Sequence, residues 1–162
     1  MAVFRTDIRV VPTLAVTVTV VAVLDWVTKA MAATALEERT VALGFLALRL
    51  GRNTGVGFGR GDWLPAPVIL LVTAGVLAAF AIAARRGLLG PPVPAGLVLG
   101  GGVANLVDRA IGGSVIDFLD LGWWPTFNLA DIFLSVGSLL LVVASLRDEP
   151  TATSRHTGAE RR

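Results

Sequence analysis

Ser114 to Gly137 reads SVIDFLDLGWWPTFNLADIFLSVG, and it sets two carboxylates, Asp117 and Asp131, on either side of an aromatic turn. The second carboxylate lies a few residues into an apolar run that continues to Leu146, a length that can enter a bilayer. An ionisable side chain at such depth costs about 2.5–3.5 kcal/mol on insertion scales, so it marks a functional site whose partners must be sought elsewhere in the chain.

Composition agrees with a membrane setting. The 162 residues are 54% hydrophobic and only 16% charged, against about 25% charged in an ordinary soluble domain, and the mean hydropathy is +0.74. Apolar runs cover most of the length and no internal repeat is visible, so residues 1–146 are expected to form one membrane domain. The net charge of +2 comes from arginines at the ends of apolar segments, which read as membrane-edge anchors. No basic stripe with interleaved aromatics points to nucleic acid.

The chain has no cysteine, which excludes a thiol nucleophile, a disulfide and a thiolate metal site. Its one histidine, His156, stands in a polar tail, away from any candidate reacting centre. Serine–histidine catalysis and a histidine-rich metal site both need an imidazole at the centre. Carboxylate chemistry remains, with no metal and no cofactor expected.

Working outward, four apolar segments are expected as spanning helices over residues 10–31, 66–84, 93–110 and 126–146. The first could instead be a cleavable leader, since Ala30-Met31-Ala32 offers a small-residue cleavage pattern. Asp25 and Lys29, however, are one helical turn apart, the spacing of an internal structural pair, which favours a retained helix. Residues 36–65 alternate short apolar runs with glycines and arginines, as strands and tight turns do, and suit a small extended structure on the membrane surface. Gly96, Gly100, Gly101 and Gly102 give the third helix a small-residue face for close packing. Residues 147–162 form a polar tail expected to be disordered and cytoplasmic.

Four spans put both termini on one side, so Asp25, Asn53, Asp108, Arg109, Asp117 and Asp131 all converge on the opposite end of the bundle. Eight arginines (5, 9, 85, 86, 147, 155, 161, 162) flank the terminal side, against five (39, 49, 52, 60, 109) on the other. The excess places the termini in the cytoplasm and the polar pocket near the outer face.

Asn105, Asp108 and Arg109 fall at i, i+3 and i+4 of the third helix, and Asn128 and Asp131 at i and i+3 of the fourth. In VIDFL an extended backbone turns Ile116 and Phe118 one way and Asp117 the other, so Asp117 and Asp131 can face each other. Two carboxylates sharing a low-dielectric site cannot easily both ionise, and one keeps a proton. Such a pair can activate water and protonate a leaving nitrogen. Asn53, Asn105 and Asn128 are candidates to orient a substrate backbone, and Arg109 to brace Asp108. Trp123 and Trp124 read as interfacial anchors and Asp120 as a solvated loop residue. The alternative is a small four-helix proton-coupled transporter or channel, which predicts polar groups at the midplane and toward both faces. A non-enzymatic scaffold would tolerate Asp→Asn at either site.

GGGVANLVDR (Gly100 to Arg109), SVIDF (Ser114 to Phe118) and FNLAD (Phe127 to Asp131) resemble three consecutive motifs of the bacterial lipoprotein signal peptidase (type II signal peptidase) family. DWVTK (Asp25 to Lys29) and NTGVGFG (Asn53 to Gly59) resemble its two earlier motifs, in the same order. The resemblance implies an all-α membrane protein of four transmembrane helices with a small β-rich cradle on the outer face between helices 1 and 2. It implies a monomeric aspartic endopeptidase of the bacterial inner membrane, in contact with membrane lipid. Its substrates would be prolipoproteins carrying diacylglycerol on the lipobox cysteine, cut just before that residue, and globomycin an inhibitor. By the family pattern Asp117 and Asp131 are the catalytic pair, with Gly55 and Ala130 among the site-supporting motif residues. Gly57 stands where the family more often has Ala, and Ala104 where it more often has Gly. The segment from Phe118 to Phe127 is shorter than the family pattern, which bears on the rim near Trp123 and Trp124.

Overall fold

The structure, a computed structural model, describes residues 9–55 and 64–147. Most of the tail expected over 147–162 lies outside the described residues, as do Gly57 and Gly59 of the NTGVGFG motif. The elements in order are α1 (Val10–Ala35), β1 (Val41–Ala42), β2 (Ala47–Asn53), α2 (Ala66–Arg85), α3 (Pro92–Gly112), β3 (Val115–Asp120) and α4 (Leu129–Arg147).

α1, α2 and α4 are each long and apolar enough to cross a membrane. At 1.5 Å per residue the 20 residues of α2 reach about 30 Å, the thickness of a bilayer's hydrocarbon core. Their outward faces are apolar, with Val16, Met31, Leu71, Val76 and Leu139 all exposed. In water such a surface would be a liability, whereas in lipid it is solvated. α3 starts on Pro92 and α2 carries Pro67 at its second position, where the fixed φ of proline suits the first helical turn and its missing N–H is no loss.

α3 is the buried centre and packs against the other three helices. Its glycines are what allow this. A Cβ on Gly96 would lie 2.7 Å from Thr17 Cβ, and one on Gly100 would lie 2.7 Å from Val21 Cβ, so α1 runs against α3 at backbone distance. A Cβ on Gly102 would strike Leu77 of α2, and one on Gly101 would strike the carbonyl oxygen of Ala130 in α4. The small-residue face therefore holds three neighbours at once.

The three strands form one antiparallel sheet in the order β1-β2-β3. The extended structure expected within 36–65 is thus completed by a strand from after α3, which ties the two loops at this end of the bundle together. The β2–β3 register shifts by one between Leu48 and Gly51, so Arg49 and Leu50 face the single residue Phe118. Beyond this bulge Gly51 pairs with Asp117 and Asn53 with Val115, which puts Asn53 and Asp117 on the same face of the sheet.

Six helix boundaries differ from the sequence expectation, those of α2 (ending at Arg85) and α3 (Pro92–Gly112) by only one or two residues. α1 continues four residues past Met31, because Met31 to Ala35 is still helix-compatible and Leu36 closes the last turn with an N–H bond to Ala32. α4 begins at Leu129, not at 126. Phe127 is held in a β-bridge to Leu119, with its N–H on the Leu119 carbonyl at 3.0 Å. Arg147 closes α4 and does not open the tail.

Candidate active site

α4 starts at a reciprocal cap. Asn128 Oδ1 accepts the Asp131 N–H at 3.0 Å, and Asp131 Oδ2 accepts the Asn128 N–H at 3.3 Å. This is the N-terminal capping box with amide and carboxylate in its two roles. A third donor of the same turn, the Ala130 N–H, is taken at 2.8 Å by Asp25 Oδ1, reaching across from α1. Ala130 is fully buried between that bond and Gly101. Any larger side chain there would push α4, and Asp131 with it, off α3.

Asp25 has a second bond. Lys29 Nζ lies 2.6 Å from Asp25 Oδ2, 2.7 Å from Asp108 Oδ2 and 2.9 Å from Asn105 Oδ1. Lys29 and Asp25 are both almost wholly buried, so each needs the other: a buried ion deprived of its partner costs about 3–5 kcal/mol. The expected Asp25–Lys29 turn-to-turn pair is thus part of a larger network between α1 and α3.

Asn105 carries the network forward, its Nδ2 donating to Asp131 Oδ1 at 2.8 Å. Asn128 Nδ2 donates both to Asn105 Oδ1 at 3.2 Å and to Asp117 Oδ1 at 2.7 Å. One asparagine therefore touches both carboxylates. On the neighbouring strand Asn53 helps hold the Asp117 carboxyl down, and its Oδ1 accepts the Gly55 N–H at 3.0 Å.

Arg109 does not brace Asp108, as the sequence spacing suggested. Consecutive helical residues point about 100° apart, so Asp108 turns to Lys29 while Arg109 turns to the β-sheet side. There its Nε and Nη2 donate to the Gly55 carbonyl at 3.1 and 2.8 Å, and Nη1 donates to the Asn105 carbonyl at 3.2 Å. Arg109 fastens the loop after β2 onto α3. Asp120 is likewise no free loop residue, since its Oδ2 pairs with Arg49 Nε at 2.8 Å and its Oδ1 accepts the Gly122 N–H at 2.8 Å.

Asp117 and Asp131 line one cavity of about 410 Å³ together with Asn53, Asn105 and Arg109. Asp117, on β3, is 2% exposed. Burial pushes its carboxyl up to about 6 from 3.8, opposed by the Asn128 hydrogen bond and reinforced by the negative charge of Asp131. A carboxyl that holds its proton up to about pH 6 beside one that accepts N–H bonds on both oxygens is suited to paired acid and base work.

Thr73, Ser135 and Ser138 also line the cavity, and sequence reasoning passed over them. Thr73 is the one hydroxyl in α2, and Ser135 and Ser138 follow Asp131 at i+4 and i+7, a one-face stripe that was there to be read. A second, apolar cavity of about 360 Å³ opens beside the first, sharing Asp131 and Ser135 and walled by Trp123, Trp124, Phe127 and Ile132. Trp123 and Trp124 meet edge to face, ring centres 5.6 Å apart.

Residues 17–147 match the family model for signal peptidase (SPase) II. The lipoprotein signal peptidase of Syntrophomonas wolfei subsp. wolfei is 38% identical over 136 residues, covering 79% of this chain and 89% of that protein. That of Rhodococcus jostii is 38% identical over 151 residues, covering 84% and 74%. That of Symbiobacterium thermophilum is 40% identical over 133 residues, covering 75% and 86%. A solved structure, a bacterial membrane enzyme determined by the in meso method at 2.3 Å resolution, superposes with a TM-score of 0.75 at 26% identity, over 91% of this chain and 95% of that one.

Proposed function

The chain belongs to the signal peptidase II family, and from that premise we propose that it is an aspartic endopeptidase in which Asp117 and Asp131 together cleave diacylglyceryl prolipoproteins before the lipidated cysteine. The observation that carries this is the single asparagine, Asn128, bonded to both carboxylates where they line one cavity. The ionised member takes a proton from water as it attacks the scissile carbonyl. The protonated member supports the oxyanion, and the pair then protonates the leaving nitrogen.

The cavity walls suit an extended peptide, with Gly102 and the hydroxyls of Thr73, Ser135 and Ser138 offering little bulk and several hydrogen-bonding groups. The apolar cavity that shares Asp131 gives acyl chains a place beside the reacting bond. α3 is the fourth spanning helix. Its 21 residues reach about 31 Å, and its glycines are shielded by the other three helices. The protein works as a monomer in the bacterial cell membrane, with cytoplasmic termini and the site near the outer face, as the arginine distribution favours. The transporter alternative finds no support among the relatives. Its polar path would have to continue to the other end of the bundle, where Arg85, Arg86 and Arg147 are simply exposed.

The test is cleavage of a diacylglyceryl-modified precursor by the purified, lipid-reconstituted protein, with products mapped by mass spectrometry. A mature fragment beginning at the lipidated cysteine is expected. Cleavage elsewhere, or equal cleavage of the unmodified precursor, would refute the substrate assignment.

A further inference from the structure

The polar chain behind the two carboxylates has a direction that donor and acceptor chemistry imposes. An ammonium has three N–H donors and no lone pair. The atom of Asn105 that faces Lys29 Nζ at 2.9 Å must therefore be its oxygen, so its NH₂ must face Asp131 Oδ1 at 2.8 Å. Asn128 is oriented independently. The Asp131 N–H demands an acceptor and takes Asn128 Oδ1, which leaves Asn128 Nδ2 to donate to Asp117. Both oxygens of Asp131 thus accept N–H bonds, in the first turn of a helix, where the dipole favours an anion. Asp117, itself buried on β3, takes the Asn128 side chain as donor on its carboxylate at 2.7 Å.

We propose that Lys29 is a positioning residue that decides which member of the pair carries the shared proton: through Asn105 it makes Asp131 the ionised, water-activating carboxylate and Asp117 the proton carrier. Resting on the assignment of these two residues as the catalytic pair, the inference gives each a separate part. As the water oxygen bonds to the scissile carbon, the water's proton passes to Asp131 and the Asp117 proton to the carbonyl oxygen. On collapse the C–N bond breaks, the nitrogen takes the proton from Asp131, and the oxygen returns its proton to Asp117. Atoms balance and the pair is restored.

The charged groups around the pair, among the described residues, are Lys29 and Asp25 from α1 and Asp108 and Arg109 from α3. α2 contributes the uncharged Thr73 and β2 the uncharged Asn53. Lys29 is the one cation among them bonded to the asparagine side chain that faces Asp131.

Two measurements test this. Infrared difference spectra recorded just below the Asp117 pKa should show a protonated carboxyl band that disappears in Asp117→Asn and persists in Asp131→Asn. A band that follows Asp131 overturns the proposal. In the Lys29→Met, Asp25→Asn double variant, which removes one charge of each sign and keeps an oxygen for the Ala130 N–H, Asn105 loses the charged donor on its oxygen and the bond its NH₂ gives Asp131 weakens. The acidic limb of the kcat profile should then move up measurably, by at most about one pH unit, the full loss of one hydrogen bond to an ion, with KM within about twofold of wild type. A purely structural Lys29 would lower the folded fraction and leave the limbs where they were, so unshifted limbs in folded double variant also overturn the proposal. If instead both single Asp→Asn variants keep full turnover, it is the catalytic pair itself that is wrong.

Discussion

In the proposed mechanism Asp117 makes the chemistry dependent on pH, in a way whose sign is fixed by its surroundings. Its carboxyl is raised to about 6 by burial, and the acid role requires its proton, so kcat/KM should fall as pH rises through about 6 in the free enzyme. A profile flat from pH 5 to 8, roughly the span over which such a group titrates, would contradict that role. The same shift has a cost in stability. The contribution of Asp117 is fully present below its ordinary value of 3.8 and is lost as pH rises through about 6. Asp117→Asn removes the ionisation, so at neutral pH the variant should be inactive yet more resistant to thermal unfolding, by on the order of 1 kcal/mol; a variant less stable than wild type at neutral pH would refute the burial argument. At this scale the sequence was legible in part. Both carboxylates, the asparagines and the Asp25–Lys29 pair stood out because charge is rare in apolar runs. The partner of Asp108 did not, because i, i+3 and i+4 spacing groups residues by face without saying which neighbour each one meets. Arg109 therefore seemed to serve Asp108, when it holds Gly55.

Helix α4 is aimed by three separate elements, and that is where the small residues matter. Asp25 from α1 caps Ala130, the Asn128 box closes the first turn, and Gly101 of α3 lets the Ala130 carbonyl come in against its backbone. Gly101→Ala would have to move backbone, for which overpacking typically costs about 1–3 kcal/mol. It should both lower the unfolding temperature and cut turnover, because Asp131 is the next residue. Gly75→Ala in α2, where an added methyl meets nothing within 4 Å, should leave both unchanged or slightly improved. Equal effects of the two substitutions on unfolding and turnover would show that the close approach of α3 and α4 is not what positions the site. The apolar runs announced the helices plainly. The pairing of β2 with β3 was hidden, since antiparallel partners far apart in sequence leave no local periodicity, and the bulge that turns Asn53 and Asp117 to one face depends on that pairing.

The whole molecule is a bundle whose outer surface is made for lipid and whose polar groups gather at one end. Three apolar helices and an exposed belt of valine and leucine require a membrane, while the buried glycine face of α3 lets four helices close around a site that none could form alone. Composition carried this much from the start, since a chain without cysteine and with its one histidine in the tail has carboxylates left for hydrolysis. The proposed carboxylate mechanism uses no metal, so turnover should survive a chelator, and activity lost in EDTA and restored by added metal would contradict it. The central claim is that Asp117 and Asp131 act as one unit on a lipidated precursor. It is tested most directly by the rate at which reconstituted wild-type, Asp117→Asn and Asp131→Asn proteins convert a diacylglyceryl prolipoprotein to its mature form. The account predicts that each variant inserts normally and loses about 10²–10⁴-fold or more in rate. Turnover within about tenfold of wild type in either variant, well short of the loss expected for an acid–base partner, would contradict it.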